Sequence, residues 1–220
     1  MVSKTIHPSS KKETRTVITF GFEREFFVVD RTTEELALPP SILPLDGCGM
    51  LAEARSKPFP DPYEAACSLQ YEVSRMERAL DHDSQGLCFL DLACCVAWPD
   101  KVMRRKARQS REYTKGPDTS QNLYGYESHA ITEDDLSCLT AGLHVSVRRN
   151  DGGIFDFPQL IRLLDVEFRD VIRTSGRSQG FYRIMNDGRV EHRSLPQSVD
   201  IMEVAKVLTQ NIQTIHGRFS

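Results

Sequence analysis

The chain has 220 residues and a formal net charge of -3, with 40% hydrophobic and 27% charged residues. That length predicts one domain or a tight pair with a sizeable core. The near-neutral balance argues against general nucleic-acid binding, and no run approaches the ~18 apolar residues of a membrane span. The six cysteines form no CxxC pair and no His–Cys zinc spacing. The polar, basic first residues lack the apolar stretch of a signal peptide. Together these features predict a cytoplasmic location with free, mostly buried thiols.

In chain order, residues 1–15 are expected to form a flexible arm and residues 16–220 a single domain. Residues 16–29 (TVITFGFEREFFVV) are β-branched and aromatic, which predicts a strand buried on both faces. A Pro-rich connection over 30–44 leads to a glycine turn and a short strand ending at Arg55. A helix is expected from Asp61–Pro62 to about Leu80, with Leu69, Val73, Met76 and Leu80 near helical spacing. Residues 87–96 read as a buried strand and residues 100–112 as a basic helix. The basic cluster over 101–111 reads either as a solvated helix face or as a patch for phosphate. A polar loop over 113–135 precedes an alternating strand over 137–149 and a turn at Asp151–Gly152–Gly153. A helix over 157–174, a hairpin over 181–195 turning at Asn186–Asp187–Gly188, and an amphipathic helix over 199–217 complete the chain. Strands and helices do not alternate regularly. The fold class expected is therefore α+β, with a mostly antiparallel sheet and helices on one face.

Strand alternation sorts the charged residues. Glu23 and Glu25 in GFEREFF share one face. Their mutual repulsion calls for a positive partner such as a divalent cation; an exposed strand face with Arg24 opposite is the plainer alternative. Glu53 and Arg55 share a face, either as a metal carboxylate beside an anion-binding guanidinium or as a surface ion pair. His144, Ser146 and Arg148 share a face opposite Leu143, Val145 and Val147. Glu191 and Arg193 share a face with Arg183 across the hairpin, as a salt-bridge ladder or as a carboxylate flanked by phosphate-binding arginines.

The ordered set G-x-E-x-E-F-F, D-G-x(5)-E-x-R, G-L-H-V-x-V and Y-R-x(4)-G-x-V-E-x-R-S-L-P spans about residue 20 to residue 200. It resembles the carboxylate–amine ligases of the glutamine synthetase and glutamate–cysteine ligase superfamily, and in particular the compact amidoligases of bacteriophages and bacterial gene clusters. The resemblance implies a curved antiparallel half-barrel whose concave face holds Mg2+ or Mn2+ and ATP. It implies an amide bond made through an acyl phosphate, with small-molecule or peptide carboxylates and amines as substrates. Metal ligands would be Glu23, Glu25, Glu53, His144 and Glu191. Nucleotide contacts would be His144, Ser146 and Arg193, and Arg55, Arg183 and Arg193 would carry catalysis. Ser146 stands where many relatives have a second histidine, and the domain that accompanies the sheet in glutamine synthetase is missing. The loop over 113–128, with Tyr113, Tyr124 and Tyr126, is a candidate to stack a base or cover the site. Two alternatives share the sheet: a guanidino-kinase-like phosphotransferase, and a catalytically inert module that binds a nucleotide or a protein.

Overall fold

The computed structural model describes residues 17–46, 50–83, 86–90, 95–97, 120–125, 138–151 and 156–215. The expected arm, the basic helix, Tyr113, Tyr126 and Gly152–Gly153 lie outside the described residues. The strands are β1 (Ile18–Phe26), β2 (Val28–Asp30), β3 (Leu36–Ala37), β4 (Ala52–Arg55), β5 (Leu87–Phe89), β6 (Cys95–Ala97), β7 (Gln121–Asn122), β8 (Cys138–Thr140), β9 (Gly142–Arg149), β10 (Phe181–Ile184) and β11 (Val190–Pro196). The helices are α1 (Pro62–Asp83), α2 (Phe157–Glu167), α3 (Arg169–Thr174), α4 (Ile201–Gln210) and α5 (Ile212–Ile215).

A six-stranded sheet in the order β4-β1-β9-β11-β10-β7 forms the frame, with every neighbouring pair antiparallel. Two smaller sheets, β3-β2-β5 and β6-β8, flank it. The fold is α+β and mostly antiparallel, and the main sheet is not a closed barrel, so the expected class holds at that level.

Period-two alternation explains why the helices among the described residues cover one face. In β1, Ile18, Phe20 and Phe22 are buried against the helices while Thr19, Gly21 and Glu23 face the other way. Ala52 and Ala54 of β4, Leu143, Val145 and Val147 of β9, and Val190 and Leu195 of β11 extend the same apolar layer. Leu69 and Met76 of α1, Leu160 and Leu164 of α2, and Val204 and Leu208 of α4 pack onto it. Burial of each such large side chain contributes about 1.5–3 kcal/mol. The residues at 18–22 are therefore apolar on one face, not on both. Arg24 reaches the helical side, where its Nη2 donates to the carbonyl of Val199 at 2.7 Å.

Acidic caps start the helices. Asp61 accepts from the Tyr63 N–H, Asp156 from Gln159, and Asp200 from Met202. Several expected elements divide. The strand over 16–29 breaks at Phe27, whose side chain leaves the main core for a second cluster with Met50, Leu51 and Ala141; β2 then joins a different sheet. The strand over 137–149 breaks at Ala141, and β8 pairs with β6. The helix over 157–174 breaks at Phe168, where φ is -108° and ψ is 21°. Residues 87–96 likewise yield two short strands in separate sheets. Cys67 is exposed and Cys88 half-buried, both free, so the expected burial of the thiols does not extend to Cys67. Among the described residues no helix is long and apolar enough to cross a membrane.

Candidate metal-binding site

The antiparallel register gathers the charged residues on the face away from the helices. Glu23 pairs with Arg55 of β4 on one side and with His144 of β9 on the other. Glu25 pairs with Glu53. Ser146 lies between Gly21 and Glu191, and Glu191 pairs with Arg183. Directly opposed residues in a sheet share a face, so the chemistry-bearing residues singled out in the sequence converge from four neighbouring strands and β10.

A bulge in β11 completes the arrangement. His192 faces Val145 and Leu195 faces Leu143, so β11 spends one extra residue opposite His144. Arg177, from the loop after α3, holds this bulge. Its Nη2 donates to the carbonyl of Arg193 at 2.6 Å, its Nε to that of Ser194 at 3.2 Å and its Nη1 to that of Ala141 at 3.1 Å. Gly142 is required beneath it, because a Cβ there would lie 2.9 Å from the guanidinium.

Within the cluster, His144 is 2% exposed. Its Nδ1 lies 3.2 Å from Glu191 Oε1 and 3.8 Å from Glu23 Oε2, and its Nε2 lies 3.7 Å from Glu25 Oε2. His144 Nδ1 is nevertheless without a hydrogen bond. Glu25 accepts the N–H of Gly142 at 3.0 Å. Arginines ring the acids. Arg55 pairs with Glu53, and Arg193 with Glu191. Arg183 lies 3.4 Å from Glu191, and Arg189 lies 3.3 Å from Glu23.

Glu23 and Glu53 respond oppositely to this surround. Burial pushes Glu23 up, but the adjacent His144 and the charges of Arg55 and Arg189 outweigh it and hold the carboxyl at about 2. Burial also pushes Glu53 up, and the neighbouring Glu23 and Glu25 add to it against Arg55, raising it to about 8. The ionised form of Glu23 is thus favoured while Glu53 is shifted toward its protonated form against the pull of Arg55, as expected for acids crowded together.

Glu23, Glu53 and His144 each offer a ligand atom, and these atoms lie within 4.8 Å of one another. A hard divalent cation takes such carboxylate oxygens, and Mn2+ also accepts imidazole. His144 Nδ1, which faces two carboxylates but makes no hydrogen bond, fits that role, since a buried polar atom without one is costly to keep. Of the five expected ligands, these three form the compact group. Glu25 is held by the Gly142 N–H and Glu191 by two arginines.

Sequence reasoning passed over three features. Arg189 belongs to a hairpin turn and Arg177 to a loop, where no periodicity marks a residue as inward-facing. His192 alternates to the helical side, where its Nε2 lies 2.9 Å from Asp165 Oδ1, both residues being buried. Tyr124 also departs from expectation. It packs over Gly180, where a Cβ would lie 2.6 Å from its ring, and its phenol is pushed up to about 12 by burial and the Asp165 carboxylate. It therefore sits with α2 and does not cover the acids.

Beside Glu23 the charged face opens into a cavity of about 190 Å³ lined by Gly21, Glu23, Ser56, Ser146, Arg148, Asp187 and Arg189 among others. No family model, no curated protein and no solved structure matches this chain.

Proposed function

We propose that the protein is an ATP- and Mg2+-dependent carboxylate–amine ligase whose reaction takes place on the charged face of the six-stranded sheet. The observation that carries this reading is the group of half-buried Glu23 with buried Glu53 and His144, whose imidazole Nδ1 makes no hydrogen bond, inside a ring of arginines. On this reading the sheet corresponds to the half-barrel of the superfamily that the motifs resemble. Glu23, Glu53 and His144 would hold the cation, which supplies charge neutralisation for phosphoryl transfer. Arg55, Arg183 and Arg193 would stabilise the negative charge that accumulates when a carboxylate is phosphorylated and then attacked by an amine. Ser146 would contact the nucleotide or the acyl group.

The electrostatics add a condition. Arg55, Arg183, Arg189 and Arg193 already oppose Glu53, Glu191 and Glu23. A cation entering that group displaces guanidinium charge, which then needs an anion. Metal and nucleotide are therefore expected to bind together, each tightening the other.

Calorimetric titration of ATP with and without Mg2+ tests the reading, alongside a Glu23→Gln/Glu53→Gln variant of unchanged circular dichroism. Mg2+-dependent binding lost in the variant, with ADP released when carboxylate and amine are both supplied, is the expected result. A folded wild type with no Mg2+-dependent binding removes the ligase. The arginine pairing also supports a second reading, the inert binding module, because the acids are neutralised without any ion. That reading predicts binding of ATP or a protein with no ADP release under any substrate pair.

A further inference from the structure

The cavity beside Glu23 is lined by Gly21 and Ser146, the next residues of the same face along β1 and β9, and His144 is not among its lining residues. Glu23 Oε2 faces His144 Nδ1 at 3.8 Å, whereas Oε1 faces Arg189 Nη1 at 3.3 Å. Glu23 is thus a wall shared between the candidate cation group and the cavity.

The lining carries two carboxylates, Glu23 and Asp187, each already paired with an arginine, and beneath its surface Ser146 and Arg189 keep buried polar atoms that have no hydrogen bond. Ser146 is 4% exposed, and its Oγ has no hydrogen bond. Arg189 Nε is buried and also has none. Ser56 Oγ accepts the Phe22 N–H at 2.8 Å, which leaves its own O–H to donate. Arg148 adds positive charge at the rim, where its Nη1 lies 3.4 Å from Asp187 Oδ2. Small residues keep the floor open. A Cβ on Gly21 would meet only Ser146 Cβ and Ser56 Oγ, each at 3.8 Å. The 190 Å³ volume greatly exceeds the ~10–15 Å³ that one water needs by the same measure.

We propose that this cavity is an oxyanion subsite in which Arg189, Ser146 and Ser56 bind the carboxylate or phosphate of a small ligand beside the cation. The unbonded Ser146 hydroxyl, the Ser56 O–H and the Arg189 guanidinium are satisfied by a ligand that brings acceptors, and a planar guanidinium suits an oxyanion. Arg189 is the exchange element. It shares Glu23 with Arg55 and His144 while no cation is present, and it turns to the ligand once a cation takes that carboxylate. The proposal rests on the cation-binding reading above. It goes further by giving the hairpin-turn arginine a ligand and by placing that ligand on the Gly21 side of Glu23.

Paramagnetic Mn2+ tests the two claims separately. Electron spin resonance reads Mn2+ binding to the full chain. Relaxation of carbon-13-labelled acetate and of inorganic phosphate by the bound ion then reads anion binding next to it. In the wild type one of the two anions relaxes faster, and its identity tells carboxylate from phosphate. Arg189→Gln lowers that anion's affinity by roughly tenfold or more while Mn2+ remains bound, and Ser146→Ala lowers it by a smaller factor. Bound Mn2+ with an anion affinity unchanged in both variants overturns the subsite and leaves the cation reading standing. Absence of Mn2+ binding in the wild type overturns both.

Discussion

His144 Nδ1 approaches Glu191 Oε1 to 3.2 Å without hydrogen-bonding to it. A buried polar atom in that position is costly in the empty protein, and a ligand that engages it recovers the loss. The cation reading makes this concrete. Mn2+ at about 100 times its dissociation constant should stabilise the wild type by about 2.7 kcal/mol through mass action. His144→Ala should lose most of that gain. Thermal melts at increasing Mn2+ check it, and equal stabilisation of wild type and variant would remove His144 from the cation group.

Glu23 and Glu53 give opposite pH signatures. Glu23 lies at about 2, below its ordinary 4.5, so its contribution to stability is present above pH 4.5 and lost as the pH falls through 2. Glu53 lies at about 8, above its ordinary 4.5, so its contribution is complete below pH 4.5 and lost as the pH rises through 8. Metal-free protein should therefore lose stability between pH 5 and pH 8. Glu53→Gln, which keeps a neutral side chain of the same shape, should flatten that decline. Urea denaturation across the interval measures it; an identical slope in the variant would place the titrating group elsewhere.

Much of the charged face is legible in the sequence, because a strand has a period of two. GFEREFF alone places Glu23 and Glu25 together, and GLHVSVR separates His144 and Ser146 from Leu143, Val145 and Val147. The sequence does not show which strands are neighbours, and neighbours decide that Glu25 opposes Glu53 while Glu23 opposes both Arg55 and His144. The breaks at Phe27 and Ala141 are hidden as well. Phe27 continues an apolar run and Ala141 sits inside a strand-like segment, and only the second cluster around Met50 and Leu51 explains why the chain leaves the main sheet there. Arg189 and Arg177 are invisible for a related reason. Their partners lie far away in sequence, at Glu23 and at Ala141 for example, and local pattern carries no information about such contacts.

The Arg177 clamp yields a prediction about positioning. Its guanidinium satisfies carbonyls of Ala141, Arg193 and Ser194 at the β11 bulge. Arg177→Ala should cost about 1–3 kcal/mol through unsatisfied carbonyls. Lysine should restore only part, since a single ammonium lacks the forked geometry. Gly142→Ala should have a similar effect by pushing the same guanidinium aside. The two changes act on one contact, so the double variant should cost less than the sum of the singles. Additive losses in denaturant melts would show that Gly142 is needed for some other reason.

Asp165 and His192 separate the scaffold from the site. Their 2.9 Å contact is buried on the helical side of β11, one residue on either side of which Glu191 and Arg193 point to the charged face. Asp165→Ala leaves the imidazole without its acceptor and should destabilise the fold by about 1–3 kcal/mol. Cation affinity, measured where the variant is still fully folded, should stay within about threefold of wild type, because additivity holds for sites that share no partners. Such a result would mean that the sheet insulates the two faces of β11. A large fall in affinity at full folding would instead show that His192 sets the path of β11 and, through it, the placement of Glu191 and Arg193.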